Sequence, residues 1–358
     1  MQVLRYHPRA ALGDGGITNS VWEHSRALVR HGVDVAVAFD RGSPPDRLEG
    51  VHPTSVEHRG RFWRVPIGIE EVLRSSDVLV LHSAWTPHNI YAASLARRIG
   101  VPYVLEPRGA YNPRILGRNR ALKRVFWRAW ERELVMGAAA IQVFFDEEEP
   151  DIRSLGYEGP VIVAPNGVRT PDDAPRWAGS RDSYILWLGR YDPEHKGIDL
   201  LVRATASLGP GDRVPLRLHG PDWRGGKRRL NRLVSALGMD AHVVVGDGVY
   251  GPAKYELMAG AAAFVYPSRW EAFGNAPAEA GTLGVPLLLT SYPLARHLAN
   301  LGAAIRVSSD VDGLREGLIA VRNRSAAAMG AQAAEVFRSF TWERVVARWW
   351  EQVEVALA

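Results

Sequence analysis

Short β-branched apolar runs alternate with helical patterns through the first half of the chain. They are VDVAVAF at 33–39, DVLVLH at 77–82, VPYVLE at 101–106, AAIQVFF at 139–145 and PVIVAPN at 160–166. Runs this short and this uniformly apolar suit strands covered on both faces, so the pattern predicts a parallel α/β domain. RTPDDAPRWAGSRDS at 169–183 is rich in Pro, Asp, Gly and Ser, and reads as a linker. The alternation then restarts with YILWLGR at 184–190, VPLRLHG at 214–220, HVVVGDG at 242–248, AAFVYPS at 262–268 and VPLLLTS at 285–291. A last amphipathic pattern runs from Thr341, with Val345, Val346, Trp349, Trp350 and Val353 on its apolar side.

These patterns predict two doubly wound domains, an N-terminal one over 1–168 and a C-terminal one over 184–340, followed by a packing helix over 341–358. Doubly wound sheets bind ligands at the carboxyl ends of their strands, so a cleft between two such domains is the expected active site. At 358 residues the chain is long enough for both.

Composition narrows the partners. With 46% hydrophobic and 23% charged residues the chain is ordinary for a globular protein. It has no cysteine, which excludes disulfides and thiolate metal sites. The opening MQVLRYHPRAALGDGG lacks an apolar core, so no secretory signal is expected and cytoplasm is the simplest inference. The longest uncharged apolar run, LVMGAAAIQVFF at 134–145, is too short to span a bilayer. A net charge of +5 suits nucleic acid, anionic lipid or a phosphorylated substrate. No zinc-finger spacing, RNA-binding aromatic motif or repeat is visible, which speaks against nucleic acid.

Two stretches carry chemistry. EAFGNAPAE at 271–279 sets two acids eight positions apart. Paired catalytic carboxyls of a glycoside hydrolase lie roughly 5–9.5 Å apart, whereas one continuous helix would separate these by roughly 12 Å. Gly274 and Pro277 argue instead that a helix begins between them, with Asn275 or Ala276 as its cap. Glu271 then lies on a loop and Glu279 about one turn into a helix whose free N–H groups suit an anion. The second stretch, YILWLGRYDPEHKG, delivers Arg190 and Lys196 to the carboxyl end of a strand, as a diphosphate site requires, although a solvated basic loop would read the same.

LGRYDPEHKGIDLLVRA, YPSRWEAFGNAPAEAGTLGVPLL, APNGV and DGGITNSVWEHSRALVRHGVDVAVA together resemble the retaining glycosyltransferases of family 4, which have the GT-B fold, two Rossmann-like domains facing across a cleft. The resemblance extends over most of the chain. It implies transfer of a sugar from a nucleotide-diphosphate donor, UDP- or GDP-linked, to a hydroxyl of a glycan, lipid-linked or small-molecule acceptor, with no cofactor and no metal.

By the same resemblance Arg190 and Lys196 would hold the diphosphate, and Glu271 would accept from a donor-sugar hydroxyl. The backbone of Phe273, Gly274 and Asn275 would approach the donor, Glu279 would take the ribose hydroxyls, and Gly15 and Gly16 would lie against the phosphates. On the acceptor side the strand ends offer His82, Trp85, Arg108 and Tyr111. His82 and Trp85 each also read as structural residues. Relatives often carry a histidine where Arg108 falls, and the PRG form is that of a subset resembling polysaccharide-building enzymes.

The one Asp-x-Asp, at 310–312, reads as a solvated loop. RNRALKRVFWRAWERE at 118–133 is a basic helix with Phe126, Trp127 and Trp130. It could lie on the anionic inner face of a membrane, or turn its aromatics into the domain. Two rivals remain open at this level: a nucleotide-sugar epimerase of the same fold and a non-catalytic membrane-surface binding protein.

Overall fold

The computed structural model describes residues 1–11, 16–60, 63–180, 183–322 and 325–358. Contacts divide the chain into two units, Met1–Gly167 together with Phe340–Ala358, and Val168–Ser339.

The first unit is built on a seven-stranded sheet of β1 (Gln2–Tyr6), β2 (Asp34–Phe39), β3 (His52–Ser55), β6 (Val78–His82), β7 (Tyr103–Glu106), β8 (Ala140–Val143) and β9 (Val161–Val163), with a small antiparallel pair, β4 (Glu57–Arg59) and β5 (Val65–Ile67), beside it in sequence. The order is β3-β2-β1-β6-β7-β8-β9, and every pairing is parallel. All five apolar runs of the first half form strands of this sheet. The sheet also gains β3, whose HPTS sequence is largely exposed and carries Pro53, a residue tolerated at an edge but not in a sheet interior.

Strand residues alternate between two cores. Val3, Val35, Val37, Val78, Val80 and Val104 lie in one, and Leu4, Ala36, Ala38, Leu79, Leu81 and Leu105 in the other. The helix Trp342–Leu357 completes the first core, with Trp342, Val346, Trp349 and Val353 buried. Its cap is Thr341, whose hydroxyl accepts from Arg344 N, and Trp349 Nε1 donates to Gln142 of β8 at 2.7 Å.

The second unit holds β10 (Ile185–Leu188), β11 (Leu216–His219), β12 (Val243–Gly246), β13 (Ala263–Tyr266), β14 (Leu287–Thr290) and β15 (Ile305–Val307). Their order is β12-β11-β10-β13-β14-β15, again all parallel. The segment expected as a linker is bonded onto this unit: Trp177 donates its backbone N–H to Leu283 O at 2.8 Å and its indole N–H to Ala261 O at 2.7 Å. The Asp-x-Asp is not a loop. Asp310 caps the helix Val311–Ala320 by accepting from Gly313 N at 2.8 Å, which leaves Asp312 in its first turn.

Each sheet reverses its winding once, between β1 and β6 in the first unit and between β10 and β13 in the second. At such a switch point the two following loops leave in opposite directions and open a crevice at the strand ends.

Candidate active site

In the second unit the switch point gathers Arg190, Lys196 and Glu271, because the first two follow β10 and the third follows β13. The short helix Pro193–Lys196 is capped by Asp192, whose side chain accepts from His195 N. Gly197 ends it at φ 64°, and a Cβ there would stand 2.0 Å from Pro267 O. Only glycine lets the two loops approach so closely. Several contacts hold them together. His195 stacks on Trp270 with centroids 3.6 Å apart, Arg269 N donates to His195 O at 3.0 Å, and Arg269 meets Asp199 through a fork of 2.8 and 2.7 Å.

The outcome is a contact of 2.5 Å between Lys196 Nζ and Glu271 Oε2, to which Tyr266 OH also donates at 3.2 Å. Burial alone would raise the Glu271 carboxyl, but the Lys196 ammonium more than offsets it and holds the carboxyl below its usual range. Burial likewise opposes the charge on Lys196, and Glu271 reverses this, holding the ammonium above its usual range. Both side chains keep a little exposure, 11% and 14%, so the pair can meet a ligand. Arg190 is more open, and its guanidinium lies 4.1 Å over the ring of Trp223 from the loop after β11.

The helix carrying the second acid spans Asn275–Thr282. Its cap is Gly274 rather than Asn275 or Ala276, since the chain enters at φ 91°, a left-handed conformation that glycine alone takes without strain. Phe273 is buried just before it. Glu279 Oε1 accepts from Lys254 Nζ at 2.9 Å, and burial raises its carboxyl in spite of that lysine. Lys254, Tyr266, Trp223 and the His195–Trp270 stack were not picked out by sequence reasoning. Tyr266 lies five residues before Glu271, but the others lie 25 or more residues from their partners, and nothing local marks those pairings.

In the first unit Gly16 opens the helix Gly16–Arg30 after β1, while Gly15 lies outside the described residues. His82 ends β6 fully buried. Its Nδ1 lies 2.8 Å from Glu106, which also takes Arg5 at 2.9 Å and Arg108 at 2.8 Å. Burial, with two guanidiniums already on the carboxylate, lowers His82 to about 4. Its ring is buried inside this network.

Trp85 and Tyr111 are joined through Glu131, whose Oε1 accepts from Trp85 N and from Tyr111 OH, each at 2.8 Å. Ser83, Trp85 and Arg108 all have positive φ, 73°, 62° and 52°, just beyond β6 and β7. Non-glycine residues held this way mark loops whose shape is imposed by the surroundings, as at functional sites. Of the four residues named from the sequence at these strand ends, the structure brings Trp85 together with Tyr111 through Glu131, and His82 together with Arg108 through Glu106.

The helical stretch expected at 118–133 forms over 120–136, with a wider π turn at Trp127–Glu131. Of its aromatics only Trp127 packs against the core. Phe126 and Trp127 are half-buried, Trp130 is exposed, and Trp63 joins them on the surface. Among the described residues no helix is long and apolar enough to cross a membrane.

Comparison with known proteins agrees with this layout. Residues 172–335 match the family described as glycosyl transferases group 1, and residues 15–167 match the glycosyl transferase 4-like domain. A GDP-mannose:cellobiosyl-diphosphopolyprenol alpha-mannosyltransferase of Xanthomonas campestris is 23% identical, with 99% of this chain and 96% of that protein covered. Among solved structures, a sucrose-phosphate synthase from Thermosynechococcus elongatus superposes with a TM-score of 0.80 at 17% identity, over 99% of both chains. HepE of Anabaena, in complex with UDP and glucose, gives 0.78 at 14% identity, over 99% of this chain and 100% of that one. The fold is GT-B, two Rossmann-like domains. With one family model on each unit, the chain belongs to the group 1, family 4 type of glycosyltransferases.

Proposed function

We propose that the protein is a retaining, metal-independent hexosyltransferase that moves a sugar from a nucleoside-diphosphate donor to a hydroxyl of a glycan, lipid-linked or small-molecule acceptor. The observation that carries this is the Lys196–Glu271 pair at the second switch point, with Arg190 on the same loop after β10. Breaking a sugar–phosphate bond places negative charge on the departing diphosphate, and fixed cations stabilise that charge as it develops. Arg190, steadied on Trp223, and Lys196 supply them. A diphosphate reaching Lys196 competes with Glu271 for the ammonium, which leaves the carboxylate to accept from a sugar hydroxyl. Glu279, about one turn into the helix Asn275–Thr282, and its partner Lys254 suit the ribose.

No carboxylate of this cluster stands free as a nucleophile, which favours front-face attack with the leaving phosphate taking the acceptor proton. The names of relatives support a nucleotide-sugar donor, GDP-mannose in one and UDP with glucose in another. The same stretch of basic surface helix supports contact with the inner face of a membrane by a cytoplasmic enzyme.

Thermal shifts with UDP-, GDP- and ADP-sugars test the donor, since a ligand of the native state raises the midpoint. At least one should do so, and none doing so would overturn the reading. Arg190→Ala and Lys196→Ala should each lower transfer by about 10²–10³-fold or more in a folded protein. Wild-type rates in both would remove the diphosphate assignment, and complete loss of turnover with EDTA would remove metal independence.

A further inference from the structure

The first unit contains a cavity of about 480 Å³ between Trp85, the turn Pro113–Leu116, the helix that begins at Arg120, and Leu155. That volume is in the range of small-molecule sites. Its wall is chemically divided. Trp85, Leu116, Trp127 and Leu155 form an apolar body, and Arg120, Lys123 and Arg124 form a cationic side. Among the lining residues there is no carboxylate, amide or hydroxyl side chain, so the wall lacks the acceptors with which proteins bind sugar hydroxyls.

Lys123 is already engaged. Its ammonium donates to Ile115 O and lies 5.4 Å from the centre of the Trp85 ring. Arg120 and Arg124 have no hydrogen-bond or ion-pair partner among the described residues, so two guanidiniums stand ready beside the apolar wall. Trp85 itself is built in, with φ 62°, its N–H on the buried Glu131 and its indole N–H on Ala110 O at 3.2 Å. The π turn at Trp127–Glu131 carries both Trp127 on the cavity wall and Glu131 beneath Trp85. Such turns occur often at functional sites.

We propose that this cavity binds the phosphate-bearing end of a lipid-linked acceptor, the hydrocarbon against Trp85, Leu116, Trp127 and Leu155 and the phosphate oxygens on Arg120 and Arg124. Apolar wall and unpaired guanidiniums together match a molecule that is an anion and a hydrocarbon within a few bonds, and neither a free sugar nor a free phosphate uses both. The identity of the occupant as an acceptor rests on the transferase reading, but its binding can be measured without turnover.

Isothermal titration of the full chain with farnesyl diphosphate, farnesol and inorganic diphosphate is the test. Farnesyl diphosphate should bind more tightly than either of the other two. The double variant Arg120→Gln/Arg124→Gln removes two charge-assisted contacts and should weaken it by at least about tenfold, with an unchanged melting temperature because both side chains are exposed. Leu116→Trp, which fills the cavity, should weaken farnesol as well. Lys196→Ala, on the other unit, should leave farnesyl diphosphate binding as it is.

Unaltered affinity in both cavity variants would overturn the proposal. So would loss of binding to phosphatidylglycerol vesicles with no loss for farnesyl diphosphate, which would make the arginines a membrane-surface contact. A chain that shifts with no nucleotide sugar overturns the transferase reading instead, through a measurement on the other unit.

Discussion

Two lysine–carboxylate pairs set the charge state of the candidate donor site. Lys196 holds Glu271 ionised below the ordinary carboxyl value of 4.5, and Glu271 holds Lys196 charged above the ordinary 10.5. Neither partner titrates between those values, so this pair should contribute no limb to the pH profile of transfer across that span. Glu271→Gln removes the charge that offsets burial of the ammonium, and the remaining desolvation lowers the lysine. The variant should therefore lose activity at alkaline pH earlier than the wild type does, and coincident alkaline limbs would contradict the pairing. The acids were legible in the sequence because Glu271 and Glu279 share a short motif. Lys196 was legible too, from YDPEHKG, but its pairing with Glu271 75 residues away was not, and Lys254 lies in a helix with no motif of its own.

Among elements, the strands were the most legible, since a strand buried on both faces must be apolar throughout and so shows itself without knowledge of its neighbours. The run at 33–39 became β2 almost residue for residue, and the run at 184–190 holds β10 at its centre. β3 and β15 were not legible, because exposed or half-exposed edge strands need no apolar code. The helix start inside EAFGNAPAE was foreseen within one residue, and the π turn at 127–131 was not, because it is fixed by where Glu131 must reach. The C-terminal helix carries its own prediction. Trp349 is fully buried, with its indole N–H on Gln142. Trp349→Ala should cost about 3–5 kcal/mol, read by denaturant unfolding of the first unit. Glu343→Ala, which removes only an exposed pair with Arg30, should cost less than about 1 kcal/mol.

Across the whole molecule, one unit is continuous in sequence and the other is not. Val168–Ser339 is a single stretch, whereas Met1–Gly167 shares its core with Phe340–Ala358. Expressed alone, 168–339 should fold cooperatively and keep its nucleotide-sugar thermal shift. A fragment of 1–167 should expose the apolar face that Trp342, Val346, Trp349 and Val353 cover, and should bind a hydrophobic dye or aggregate. Cooperative folding of 1–167 by itself would show that the terminal helix is dispensable. By itself the sequence determined what local physics can encode: apolar period, punctuation by Gly and Pro, and a motif whose acids and glycine lie within nine residues. Only the tertiary structure decided which charges meet, that His82 is sealed inside a guanidinium–carboxylate network, and that the basic helix turns Trp127 onto the core and a cavity while leaving Trp130 at the surface. Those outcomes depend on burial and on partners tens of residues away, and no window of the chain contains both halves of such a contact.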